Sequence, residues 1–252
     1  MTCINQPFMP DDVHCCPHRS HLPPIPVGAF LTVQVWREFG KRTMILNDLG
    51  VVDYAAAFSL QERIADGVYR NATPETLLLL EHHPVYTIGR AGCEENILDH
   101  SIQAIRISRG GDVTFHGPGQ LVGYPLINLR PRGCDLRHYL RFLEELLISV
   151  VADFGVSAFR VPGKTGVWTD QGKLAAIGVG VRHWVTMHGF AMNVNNDLSS
   201  FERINPCGIA TCPIASLERL CGCPIAMDEV KSRVAGRFQG LLDEWLPAAG
   251  AL

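Results

Sequence analysis

The chain has 252 residues, 47% of them hydrophobic and 19% charged, with a formal net charge of −3. That balance describes a globular protein with a substantial core and offers no global electrostatic reason to bind nucleic acid. No apolar run approaches the ~18 residues of a membrane span, and the first thirty residues lack the apolar centre of a secretory signal. The expected setting is the cytoplasm, where the nine cysteines stay as thiols rather than disulfides.

Residues 1–30 are proline-rich and carry Cys3, His14, Cys15, Cys16, His18 and His21. Their spacing fits no usual structural zinc pattern, so a flexible extension is expected, with soft-metal binding as the lesser alternative. Residues 31–47 predict an opening strand. Asp53 is placed to cap a helix running to about Tyr69, whose Ala57, Phe58, Ile64, Ala65 and Val68 keep helical spacing. The run 76–81 predicts a buried strand, broken by His82-His83-Pro84, and 85–89 another strand or its continuation. Residues 121–129 predict a strand. Asp135 to Phe154 is the clearest helix, with an apolar stripe from Leu136 to Val150 and Gly155 to end it. Three strands are expected over 159–168, 173–182 and 185–194, then helices over 213–220 and 228–245. Sequential strands in the middle disfavour a purely parallel sheet. The expected class is α+β (mixed α/β), one catalytic domain over residues 31–248.

The stretch Arg109 to Gln120, RGGDVTFHGPGQ, carries the strongest chemical signal. Glycines let backbone approach a ligand closely, so the segment is expected to be a binding loop rather than a packed element. Arg109 is a candidate grip for a carboxylate or phosphate, or a member of a surface ion pair. Asp112 is expected to tie the loop backbone. No Walker or dinucleotide pattern is present. Cys207 lies in Asn205-Pro206-Cys207-Gly208 and is the candidate nucleophile, provided its pKa of about 8.5 is lowered. Lys173, one of the few charges beside small and apolar residues, is the candidate base. On residue types alone, the reading of Cys207 as a small buried hydrophobe and Lys173 as a strand-edge solubiliser is the favoured one. Cys212, Cys221 and Cys223 have poor zinc spacing and are expected to pack near the closing helices. His116 and His188, each followed by Gly, are expected to line one cleft, or to be satisfied polar residues.

Four blocks together resemble the octanoyltransferase (octanoyl-acyl-carrier-protein:protein transferase) family. They are Glu81 to Thr87, Arg109 to Leu121, Gly172 to Gly178, and His188 to Val194 leading to Pro206-Cys207-Gly208. The resemblance spans residues 46–220 and excludes the N-terminal extension. It implies the biotin protein ligase and lipoate ligase-like fold, with a large mixed sheet, a smaller one and flanking helices. It implies an acyltransferase that moves an octanoyl or lipoyl group from acyl carrier protein to a lysine of a lipoyl domain, in 2-oxoacid dehydrogenase subunits or the glycine cleavage H protein. The same resemblance places the acyl-thioester at Cys207 and the activating base at Lys173. Substrate-binding residues are placed at Arg109, Gly110, Gly111, Asp112, Val113, Thr114, Phe115 and His116, at Ala176, Ile177 and Gly178, and at Gly189, Phe190 and Ala191. No ATP, metal or other cofactor is implied, and a monomer is expected. The rival readings are an ATP-dependent lipoate or biotin protein ligase, a metal-binding scaffold, and a cysteine hydrolase pairing Cys207 with a histidine.

Overall fold

The computed structural model describes residues 34–36, 44–208 and 212–249. The Cys/His-rich extension, with both of its readings, lies outside the described residues. The expected opening strand is in fact two, β1 (Gln34–Trp36) and β2 (Met44–Val52), paired antiparallel with Gln34 opposite Leu46. Helix α1 (Tyr54–Tyr69) starts where Asp53 predicts, but the Asp53 side chain makes no capping bond. The helix is entered through the Asp53 carbonyl, which accepts from Ala57 N–H at 3.0 Å.

Strand β3 (Glu75–His82) explains its own unbroken apolar run, because both of its faces are covered. Leu77 and Leu79 join one core cluster with Phe142, Leu146 and Phe238, while Leu78 and Leu80 join another with Ala57, Val68 and Tyr124. All four leucines are at most 1% exposed, and each fully buried leucine contributes roughly 1.5–3 kcal/mol. The first cluster lies under α2 (Leu136–Ala152) and α4 (Met227–Trp245), the second under α1. Asp135 caps α2, its carboxylate accepting from His138 N–H at 2.9 Å.

The remaining strands are β4 (Val85–Ile88), β5 (Ile105–Arg106), β6 (Val113–His116), β7 (Gln120–Leu126), β8 (Phe159–Val161), β9 (Lys164–Thr169), β10 (Gly172–Arg182) and β11 (Val185–Asn193). The strand expected over 159–168 is split by a turn at Pro162-Gly163, with Gly163 at φ +76°. An eight-stranded sheet runs β1-β2-β3-β7-β11-β10-β9-β8, and a three-stranded sheet runs β5-β4-β6. Within the large sheet only β2 and β3 pair in parallel. The mixed α+β class and the two-sheet architecture are as expected.

Two local expectations are corrected. The glycine-rich segment is a packed element over part of its length, since Val113–His116 form β6 and all four residues are buried. The helix expected over 213–220 is only α3 (Leu217–Cys221), capped by Ser216. Residues 213–215 instead pair with β10. Among the described residues, no helix is long and apolar enough to cross a membrane, and no group of three or more His, Cys, Asp or Glu is placed to hold a metal ion. Cys221 and Cys223 pack against the main core cluster, which includes the closing helix, as expected.

Candidate active site

Two central strands of the large sheet form one wall of the site. In the β10–β11 register, Ala176 faces Ala191, Ile177 faces Phe190 and Gly178 faces Gly189. Small residues keep this patch shallow, so another chain segment can lie directly on it. The segment that does so is the glycine loop, whose Gly110 N–H donates to the Val179 carbonyl at 2.8 Å. A Cβ on Gly178 would lie 3.0 Å from both Arg109 Cδ and Gly110 O. Glycine at 178 therefore suits the close approach, since a side chain would press on the loop.

Between loop and sheet is a cleft of about 490 Å³, open mouth included. Its lining contains thirteen of the fourteen predicted substrate-binding residues, namely 109–114, His116, 176–178 and 189–191. Phe115 is the exception. Strand alternation turns its ring to the other side of β6, where it packs 5.0 Å from Tyr86 and 5.8 Å from Phe201. Arg109 lines the cleft but is 8% exposed and spends three bonds inward, on Gly110 O and on the carbonyl and hydroxyl of Thr87, each at 3.0 Å. Asp112 does tie the backbone. It accepts from Val113 N–H at 2.7 Å, Cys93 N–H at 3.2 Å and Asn96 Nδ2 at 2.6 Å. A Cβ on Gly208 would lie 2.9 Å from its Oδ2, so Asp112 also sits under the cysteine-bearing turn.

A second cleft, about 280 Å³, adjoins the first and shares Thr114, Ala176 and Ala191 with it. Lys173 and Pro206 both line it. Cys207 lies in the 3-10 turn Pro206–Gly208. Lys173 is 4% exposed, with Nζ 5.4 Å from the Trp168 ring centroid. Backbone pairing explains how the two regions meet. Lys173 N–H donates to Pro213 O at 2.8 Å and Ala215 N–H to Lys173 O at 3.0 Å, so the chain beyond the cysteine turn returns alongside the start of β10. On the other side, Asn205 N–H donates to Asn96 O at 2.7 Å, bringing the turn against the segment held by Asp112.

His116 and His188 line the same cleft. Both are held neutral. Burial is the largest cause for His116, whose pKa falls to about 3, reinforced by His82. Burial and then Arg109 pull His188 down to about 4. His116 Nδ1–H donates to Gln120 Oε1 at 2.8 Å, because the Gln120 amide nitrogen is already donating to Phe115 O and Asn193 Oδ1. The ring of His116 therefore keeps Nε2 as an acceptor. His188 adopts φ +57°, uncommon for a residue with a side chain, and its N–H is held by Gln61 Oε1 at 2.7 Å.

Several site residues escaped the sequence reading. Tyr54 and Tyr124 line the main cleft, while Gln120 and Asn193 line the smaller one. Burial raises both tyrosine pKa values, Tyr124 well above normal. Tyr124 donates to His82 Nε2 at 2.7 Å, and His82 Nδ1–H donates to Val52 O at 2.9 Å. Gln120 and Asn193 carried a usable signal, as amide side chains at the ends of otherwise apolar strands. Tyr54 carried none, since only the tertiary fold brings the start of α1 to the cleft.

The geometry agrees with what similarity to known proteins shows. Residues 53–239 match the lipoyl protein ligase A/B catalytic domain family. The chain is 65% identical over 204 residues to the octanoyltransferase of Geotalea uraniireducens, covering 81% of this chain and 95% of that one. It is 63% identical over 204 residues to that of Geobacter metallireducens, covering 81% and 96%. Among solved structures, a lipoate protein ligase from Thermoplasma acidophilum superposes with a TM-score of 0.59 at 18% identity, covering 78% of this chain and 82% of that one. A biotin protein ligase from Aquifex aeolicus superposes with a TM-score of 0.52 at 14% identity, covering 81% and 72%. These two likenesses speak to the fold alone. With the family model spanning most of the chain and relatives this similar, the chain belongs to the octanoyltransferase family, acyltransferases built on the lipoyl protein ligase A/B catalytic domain.

Proposed function

We propose that the chain transfers an octanoyl group from the phosphopantetheine thioester of acyl carrier protein to a lipoyl-domain lysine, through an acyl-thioester on Cys207 with Lys173 as base. The observation that carries this reading is the shared lining of the smaller cleft. A buried lysine and the turn bearing Cys207 line or flank one space, which adjoins the larger cleft through the shared Thr114, Ala176 and Ala191.

Lys173 Nζ takes the proton from the Cys207 thiol. The thiolate attacks the octanoyl carbonyl carbon. A C–S bond to Cys207 forms, the C–S bond to pantetheine breaks, and the departing thiolate takes the proton back from Lys173. The acceptor lysine then attacks as a neutral amine. An amide forms, the Cys207 sulfur leaves, and the amine's proton passes to Lys173. The thioester is already activated, so the reading needs neither ATP nor a metal. The acyl chain occupies the larger cleft, where burial of an eight-carbon chain contributes about 5 kcal/mol at ~0.8 kcal/mol per methylene. Residues 109–114 and 116, 176–178 and 189–191 form its walls. Lipoyl domains of 2-oxoacid dehydrogenase complexes and the glycine cleavage H protein are the acceptors.

Mass spectrometry of the chain mixed with octanoyl-carrier protein tests this. One octanoyl adduct is expected, on Cys207, without ATP and in the presence of a chelator. It is expected to be absent in Cys207→Ser and formed far more slowly in Lys173→Ala. An adduct that persists on another thiol in Cys207→Ser, or an absolute requirement for ATP, overturns the reading.

A further inference from the structure

Resting on the assignment of Lys173 as the base, we infer that Glu144 and Gly166 are positioning residues for its amine. Glu144 stands out within α2. Its neighbours on the buried face, Phe142, Leu143, Leu146 and Leu147, are apolar, yet Glu144 is only 1% exposed. A buried carboxylate is costly unless donors satisfy it. Oε2 accepts from Arg141 Nη1 at 2.6 Å and from Arg160 Nε at 3.1 Å. Oε1 accepts from the Gly166 N–H at 3.1 Å. The helix thus reaches across to β9 and holds one peptide group in place.

That peptide group borders Lys173. Gly166 has φ +128°, a conformation that side chains resist. A methyl group there would lie 2.8 Å from Lys173 Cε, 3.4 Å from Nζ and 2.5 Å from the Ala175 carbonyl oxygen. The β9–β10 ladder slips at this point, with Trp168 opposite Lys173 but Val167 opposite Ala175. The amine end of Lys173 lies between the bare Gly166 backbone and the Trp168 ring. Neither Glu144 nor Gly166 lines either cleft, whereas Lys173, which Gly166 borders, lines the smaller one.

The test is single-turnover acylation of Cys207 by octanoyl-carrier protein, using the full chain and normalising each rate to its end point so that only competent molecules count. Glu144→Leu is expected to slow acylation at saturating donor at least about tenfold, with half-saturation changed by less than about twofold. Gly166→Ala is expected to behave the same way. Glu144→Gln keeps an oxygen for Gly166 N–H and is expected to stay within about threefold of the parent. A parental rate in folded Glu144→Leu, or in Gly166→Ala where leucine at 144 prevents folding, overturns the inference. So does a loss expressed only as weaker half-saturation. Lys173→Ala separates the two layers. If it acylates at the parental rate, the base assignment fails and the positioning role with it. If it is slow while Glu144→Leu is fast, only the positioning role fails.

Discussion

His116 shows how burial decides what a residue can do. Its ring is 7% exposed and its Nδ1–H is committed to Gln120, so it serves the cleft as a neutral acceptor. The pKa values have a consequence for stability. In the unfolded chain histidines take up protons near pH 6.5. In the folded chain His116 does so only near 3 and His188 only near 4. Between those values the unfolded state binds more protons, so the stability is intact above about pH 6.5 and is lost as pH falls toward 4. Burial lowers the His82 pKa as well, so denaturant midpoints are expected to drop between pH 7.5 and 4.5, and His116→Gln should flatten that slope by removing one of the three rings. An equally steep slope in the variant would place the loss elsewhere. At Gly178 the argument is steric. The Cβ of Gly178→Ala would press on Arg109 and Gly110 at 3.0 Å, and overpacking of this kind costs about 1–3 kcal/mol. Because the displaced loop is a wall of the cleft proposed to hold the acyl chain, KM for the octanoyl donor is expected to rise severalfold; an unchanged KM would mean that the chain binds elsewhere.

At the level of elements, the C-terminal helix is tied to the sheet by a buried ion pair. Arg132 Nη2 donates to Glu75 Oε2 at 2.9 Å and Nη1 to Leu246 O at 2.6 Å, while Glu75 Oε1 accepts from Asn128 N–H at 2.9 Å. The two side chains are only 1% and 7% exposed. Arg132→Met would leave a carboxylate buried without its cation, costing roughly 3–5 kcal/mol. Adding Glu75→Gln should recover much of that loss. Urea melts of the single and double variants check this, and additive losses would show that the pair is not coupled. The cap of α2 is a smaller matter. Asp135→Ala is expected to cost about 1 kcal/mol and to leave transfer unaffected.

At the scale of the whole molecule, the larger cleft, where we propose the acyl chain binds, is an interface between two sheets, with the glycine loop from one laid on β10 and β11 of the other. A ligand that binds there favours the folded state by mass action. Cys207→Ser, which lacks the thiol and is expected to form no thioester, is therefore expected to melt several degrees higher with saturating octanoyl-carrier protein, and the same variant carrying Gly178→Val should lose the shift. Much of this arrangement was legible in the chain. The stripe along α2, the leucine run of β3 and the glycine-rich stretch are patterns within a few residues of one another, and local spacing is enough to read them. The break at Pro162-Gly163 was there to be read as well, although the two short strands looked like one. Tyr54, Tyr124 and Glu144 were not legible as site residues. Each earns its place through partners far away in sequence, as with Gly166, 22 residues from Glu144. By itself the sequence determined most of the elements, the family and the residue types offered to the site, because propensity, periodicity and motif are properties of neighbours along the chain. Only the tertiary structure decided that residues 213–215 run back beside Lys173, that Phe115 turns away from the cleft and that a helix carboxylate holds Gly166, because hydrogen-bond register and burial are settled only when distant segments compete for the same space.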